Sequence, residues 1–270
     1  MSDIYIIAEI GSNCLKYRSE ERNLKLAFEQ ITAAKQCGAD AVKFQMFTHK
    51  ELFGVEKESQ YELPKEWIPK LHDFCKKRKI DFLCSAFSLQ GFHHLNPFVN
   101  YHKVASPEAC SSQILNSVLC MANPVIVSNG CLTYREQQEL VQSDLWGADD
   151  VLLECVSEYP ASAHSYDLGH IVKLASKFRI LWGLSDHTLS VVAAKQARQL
   201  GATFFEKHVD LVSVSAPKTP DSTVSADYHD FKKYCNVLKS YSPSIDYYDS
   251  KLEAKKKYGR QKNGYRPVNG

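Results

Sequence analysis

Short runs of apolar and β-branched residues return along the 270-residue chain: Tyr5–Ile10, Ala41–Gln45, Asp81–Ala86, Tyr101–Ser106, Pro124–Asn129, Val151–Ser157, Leu181–Asp186 and Ala202–Val209. Most are apolar almost throughout rather than alternating, the pattern of strands covered on both faces in a parallel sheet. Between them the period becomes helical. Leu24, Phe28, Ile31 and Ala34 form one stripe, and Val191, Ala194, Ala197 and Leu200 another, with Thr188 or Ser190 placed to cap the second. Gly38-Ala39, Gly147-Ala148 and Gly201-Ala202 each follow a helical stretch and precede a strand, where glycine enters the left-handed region without steric cost. Eight strands alternating with helices predict βαβ units closing into an α/β fold, a (β/α)8 TIM barrel. The competing open sheet would place G-x-G-x-x-G after the first strand, and Glu9-Ile10-Gly11-Ser12-Asn13 is not one.

Residues 1–241 are thus expected to form one barrel domain, and 242–270 a basic, solvated C-terminal arm, since Ser242-Pro243-Ser244 breaks the last helix. The length agrees with a barrel of about 250 residues. Lys+Arg 33 against Asp+Glu 31 leaves +2, too weak a field to recruit nucleic acid. The nine cysteines include no C-x-x-C pair, so zinc knuckles and thioredoxin-type chemistry are not indicated. No run approaches the ~18 apolar residues of a membrane span, and the N-terminus lacks a signal-peptide pattern. A reduced, cytoplasmic compartment is the expectation.

A barrel keeps its active site at the C-terminal ends of its strands. Those ends are ionisable or hydroxylic nearly all the way round: Glu9; Lys43 and Gln45; Ser85; Lys103, Ser106 and Glu108; Ser128; Ser157 and Tyr159; Ser185 and His187; Glu206 and His208. Packing alone does not require this. Lys43 and Lys103 with the serines suit a phosphate or carboxylate. His187 and His208, on neighbouring strands, can share a divalent metal and leave positions open for substrate and water. Glu9 and Glu108 remain as acid–base groups or ligand orienters.

The strings Ile7-Ala8-Glu9-Ile10-Gly11-Ser12-Asn13, Gly38-Ala39-Asp40-Ala41-Val42-Lys43-Phe44-Gln45, Lys103-Val104-Ala105-Ser106-Pro107-Glu108, Gly183-Leu184-Ser185-Asp186-His187-Thr188 and Glu206-Lys207-His208 resemble the N-acetylneuraminate (sialic acid) synthase family, which includes the legionaminate and pseudaminate synthases. The resemblance runs from about residue 4 to about 240. It implies condensation of phosphoenolpyruvate with an amino-sugar aldehyde, giving a nonulosonic acid and phosphate. It implies Mn²⁺ or Mg²⁺ on His187 and His208. Lys43, Ser85, Lys103, Ser106, Ser128, Ser157 and Ser185 would line the phosphoenolpyruvate pocket. Gln45, Glu108, Tyr159 and Asp221 would face the sugar, Glu9 would bridge the two, and Glu108 would transfer the proton near the new alkoxide. The family's members are dimers, which leaves a homodimer open.

The chain also departs from the family. Asn-His-x-Gly reads Asn13-Cys14-Leu15-Lys16, Ser-Gly-Glu reads Ser106-Pro107-Glu108, and His-Cys reads Glu154-Cys155 with Ser157 for the usual Asn. Asp210 replaces a Thr, and the Gly-Pro-Asp-His loop reads Thr219-Pro220-Asp221-Ser222. The antifreeze-like domain common in the family is expected to be absent, with Lys255–Arg266 resembling the start of its linker. The changes fall mainly on the sugar side, so a changed sugar is expected before a changed reaction. Two other readings stand beside it: an altered barrel serving as a binding or assembly subunit, and a metal-dependent synthase or aldolase acting on a different aldehyde.

Overall fold

The structure is a computed structural model and describes residues 4–56, 59–212, 215, 218–241, 260–261 and 264–265. Eight parallel strands, β1 (Tyr5–Glu9), β2 (Ala41–Met46), β3 (Asp81–Ala86), β4 (His102–Val104), β5 (Val125–Ser128), β6 (Val151–Cys155), β7 (Leu181–Asp186) and β8 (Phe204–His208), pair in sequence order. β8 closes on β1 through the register Tyr5↔Phe204 to Glu9↔His208. The helices lie between them: α1 (Glu20–Cys37), α2 (His49–Phe53), α3 (Trp67–Arg78), α4 (Leu89–Leu95), α5 (Ser106–Ala109), α6 (Ser112–Leu119), α7 (Tyr134–Gln142), α8 (Leu168–Phe178), α9 (Val192–Gln199) and α10 (Tyr228–Ser240). The chain therefore has the (β/α)8 fold that its periodicity predicts.

Strand alternation divides the apolar residues into two cores. Residues facing outward, such as Ile6, Ala8, Val42, Phe44 and Phe205, pack beneath the helices with Ala27, Ile31, Leu71 and Phe231. Residues facing inward fill the lower half of the barrel: Ile7, Ala41, Leu83, Ile126, Val151, Leu153 and Phe204. Tyr5, Tyr101 and Phe204 meet across the axis at the N-terminal end, with ring centroids 5.3 to 5.8 Å apart. The Tyr5 hydroxyl donates to Asp81 Oδ2 at 2.6 Å. Above this layer the inward positions turn polar, so the same alternation that makes the core also builds the mouth.

Gly38 and Gly201 adopt φ +100, as a helix-ending glycine should. Gly147 does not act in this way: α7 stops at Gln142 with Ser143 after it, and the Gly147 N–H instead donates to Asp150 Oδ2 at 2.7 Å. The cap expected for the α9 stripe is also different. Val191 occupies the cap position without a side-chain bond, and Ser190 Oγ accepts from Val192 N at 3.3 Å. Ser106 is not a strand residue. Pro107, whose fixed φ and missing N–H suit a first helical turn, starts α5 there. Among the described residues no helix is long and apolar enough to cross a membrane. The expected arm at 242–270 lies outside the described residues, apart from a two-residue antiparallel pairing of 260–261 with 264–265.

Candidate active site

The inward polar residues surround a cavity of about 170 Å³ at the C-terminal ends of the strands. Lys43, Ser85, Lys103, Ser106, Ser128, Ser157 and Ser185 line it together with Gln45, Tyr159, His187 and His208. Eleven of the residues given a role from the sequence are thus brought to one place. Glu9, Glu108 and Asp221 are not in its lining. Glu9 lies buried behind Lys43, Asp221 stands behind His208, and Pro107 takes the wall position beside Glu108.

The floor carries two buried ammonium groups. Lys43 Nζ donates to Ser85 Oγ at 3.0 Å and pairs with Glu9. Lys103 Nζ donates to Ser128 Oγ at 2.8 Å and to the Val104 carbonyl at 3.3 Å. Between them stands Glu206, 3.7 Å from Lys43 and 3.8 Å from Lys103, with Oε1 accepting from Ser185 Oγ at 3.1 Å. Burial works against the Glu206 carboxylate, but Lys103 and Lys43 outweigh it and hold the group below the ordinary carboxylate range. Burial likewise opposes the Lys43 charge, and Glu206 with Glu9 hold it above the ordinary lysine range. Lys103 is pushed down by burial. Burial pushes Glu9 up against the pull of Lys43, and its Oε1 accepts from Gln45 Nε2 at 3.0 Å.

Glu206 was assigned no role from the sequence. Its signal was its place two residues before His208 on one strand, which puts both side chains inside the barrel. Lys207 faces outward, donating to the Thr188 carbonyl at 2.7 Å. Phe87, Cys131 and Cys155 also line the cavity without a sequence signal.

The imidazoles of His187 and His208 lie with centroids 5.5 Å apart, and the half-exposed Tyr159 ring stacks on His187 at 4.2 Å. His187 Nδ1 meets the Val156 carbonyl at 2.7 Å, which assigns the proton to Nδ1 and leaves Nε2, 3.5 Å from Ser185 Oγ, as the unprotonated nitrogen. Burial lowers His187 to about 4 and also lowers His208, so both rings are neutral at pH 7, as metal ligands must be. The pair therefore fits a divalent ion as two nitrogen donors. Among the described residues no group of three or more His, Cys, Asp or Glu could hold one, so other positions would fall to substrate and water.

The departures from the family pattern sort into two kinds. Lys16 and Asp210, far apart in sequence, form one buried ion pair at 2.5 Å, and Asp210 Oδ1 also accepts from Gln30 Nε2 at 2.9 Å. Two positions at which the chain departs from the resemblance thus pair with each other. Glu154 points away from the cavity, accepting from Asn129 Nδ2 at 2.8 Å and Asp167 N at 3.0 Å. Cys14 is buried with its thiol toward the Gly11 carbonyl at 3.8 Å. Neither reaches the cavity. Pro107 and Ser157 do, and they alter its wall.

Comparison with known proteins agrees with this geometry. The sequence profile of the NeuB family matches residues 30–247. A pseudaminic acid synthase of Helicobacter pylori is 31% identical over 256 residues, covering 87% of this chain and 73% of that protein. An N,N'-diacetyllegionaminic acid synthase of Legionella pneumophila is 32% identical over 261 residues, covering 87% and 71%. The crystal structure of an N-acetylneuraminic acid synthetase from Leptospira borgpetersenii superposes with a TM-score of 0.78 at 25% identity, covering 96% of this chain and 93% of that one. With the profile spanning most of the barrel and relatives above 30% identity across it, the chain belongs to the NeuB family.

Proposed function

We propose that this chain is a transferase that condenses phosphoenolpyruvate with the open-chain aldehyde of an N-acetylated amino sugar, giving a nonulosonic acid and phosphate. The observation that carries the reading is the pair of buried lysines on a serine floor directly beside two neutral histidines. The printed names of the relatives, synthases of pseudaminic and legionaminic acids, support it. The histidine pair would hold a divalent ion, Mn²⁺ or Mg²⁺, which when bound supplies Lewis-acid polarisation of an aldehyde oxygen.

Lys43 and Lys103 bind the phosphate and carboxylate of phosphoenolpyruvate, with Ser85 and Ser128 already oriented by the ammonium groups. In the absence of substrate Glu206 serves as the lysines' counter-ion, which keeps two cations stable in a buried site. C3 of phosphoenolpyruvate attacks the aldehyde carbon, water adds at C2, and the C2–O bond to phosphate breaks. Gln45 and the half-exposed Tyr159, both in the cavity wall, contact the sugar. Glu108, outside the lining and beside the Pro107 wall, has a buried Oε2 without a hydrogen-bond partner, and burial raises its carboxyl, which suits a proton donor to the new alkoxide.

Phosphate release and product mass are the tests. The proposal expects release only when phosphoenolpyruvate, an N-acetylhexosamine from a stereochemical panel and Mn²⁺ are all present, with the product carrying one added pyruvyl unit. Absence of turnover on the whole panel, together with no phosphoenolpyruvate binding by calorimetry, would overturn it.

A further inference from the structure

The turn carrying Asp221, Pro220–Thr223, is clasped to the turn after β1, Gly11–Cys14. Asn13 makes the clasp: Nδ2 donates to the Val209 carbonyl at 2.9 Å and to Ser225 Oγ at 2.8 Å, and Oδ1 accepts from Thr219 Oγ1. Ser12 then grips Asp221. Its backbone N–H and its hydroxyl both donate to the same oxygen, Oδ2, at 2.7 and 2.6 Å. Gly11, at φ +50, permits this approach, because a Cβ there would collide with Asp221 Oδ2. With Oδ2 doubly occupied, Oδ1 faces His208, 3.7 Å from Nδ1. That distance is short of a hydrogen bond, yet Nδ1 is buried and has no hydrogen-bond partner.

We propose that Ser12 and Asp221 are positioning residues that hold the His208 ring with Nδ1–H toward the carboxylate and Nε2 toward the cavity, setting His208 as a nitrogen donor beside His187. The resemblance would instead have Asp221 touch the sugar, whereas the geometry gives one of its oxygens to Ser12 and turns the other toward His208. His187 has its Nδ1 fixed by the Val156 carbonyl; Ser12 and Asp221 do for His208 what that carbonyl does for His187. The consequence for metal affinity rests on the metal reading above, and the ring orientation does not.

Nitrogen-15 shifts of the histidine side chains in the metal-free protein, assigned with His208→Gln, report which His208 nitrogen carries the proton. Titration of the same samples with Mn²⁺, followed by the paramagnetic resonance of the free ion, reports affinity. The wild-type protein is expected to show the Nδ1–H tautomer. Ser12→Ala and Asp221→Ala are expected to mix the tautomers and weaken Mn²⁺ on the order of 10-fold, and Ser12→Thr, which keeps the hydroxyl, to restore both. Wild-type shifts and affinity in Ser12→Ala, with Asp221→Ala changing only KM for the aldehyde, would overturn the proposal in favour of a sugar contact. Wild-type protein that binds no Mn²⁺ would overturn the functional reading alone, with the nitrogen shifts still deciding the positioning.

Discussion

The Lys16–Asp210 pair can be taken apart one charge at a time. Lys16 retains 6% of its side-chain exposure and Asp210 23%, so the two partners face unequal costs when left alone. Asp210→Thr strands an ammonium that is almost fully buried. The expected loss is about 3–5 kcal/mol, the range for an unpaired buried charge. Lys16→Met strands a carboxylate that is part-solvated and keeps the Gln30 bond, so about 2 kcal/mol is expected. The double variant removes both charges and leaves a methionine–threonine contact between the segments that follow β8 and the turn after β1. Replacing a buried pair in this way is often near neutral, so it should lie within about 1 kcal/mol of wild type. The coupling is therefore on the order of 5 kcal/mol, well above the few tenths seen between independent sites. Urea denaturation of the four proteins measures it, and at about 2–4 °C per kcal/mol the Asp210→Thr melting point should fall on the order of 10 °C. Single-variant losses that simply add in the double variant would refute the idea that the two residues act as one pair.

Other outcomes follow from the same structure. Gly183 has no side chain because the backbone of Phe204 occupies the space, so Gly183→Ala should cost more than about 3 kcal/mol and lower soluble yield, read by thermal melting. Lys103→Met should weaken phosphoenolpyruvate on the order of 100-fold by calorimetry, through loss of a buried charge-assisted contact to the anion; KM for the sugar should change far less. His102 is buried, donates to Asn96 Oδ1 at 2.9 Å and has an unpartnered Nδ1; burial, with His93 nearby, lowers it to about 4. The unfolded chain therefore binds more protons between about pH 6.5 and 4, and His102 removes up to about 3 kcal/mol of stability as pH falls through that window. His102→Gln should flatten this part of the stability–pH curve, and an unchanged slope would count against it.

Alternation and periodicity were enough for the barrel because a strand covered on both faces must be apolar on both. The lower half of each strand is, from Ile7 to Phe204. The site was legible for the same reason. Lys43, Ser85, Lys103 and His208 sit where an apolar run would otherwise continue, and each of them lines the cavity. Glu9 and Asp221 were legible as residues but not as neighbours, since their partners, Lys43 and Ser12, are fixed by strand register and by a turn clasp between residues more than 200 positions apart. Gly147 misled because Gly-Ala looks alike in sequence whether a helix ends at the glycine or four residues earlier. The Lys16–Asp210 pair was visible only as two unrelated changes, because a charge complement across 194 residues has no local signature.

The aromatic layer of Tyr5, Tyr101 and Phe204 closes the lower end of the barrel, which makes the cavity a one-way chamber. If the floor holds the phosphate and the rim the sugar, whatever enters first must go deepest and leave last. Phosphoenolpyruvate would then have to load before the aldehyde, and the bulky sugar acid depart before phosphate. Inorganic phosphate would compete with phosphoenolpyruvate for the emptied floor, and the sugar acid, which keeps the carboxylate of phosphoenolpyruvate, would compete at the floor and the rim together. The contact of three tilted rings at the far end of the barrel would in this way set the order of events at its mouth.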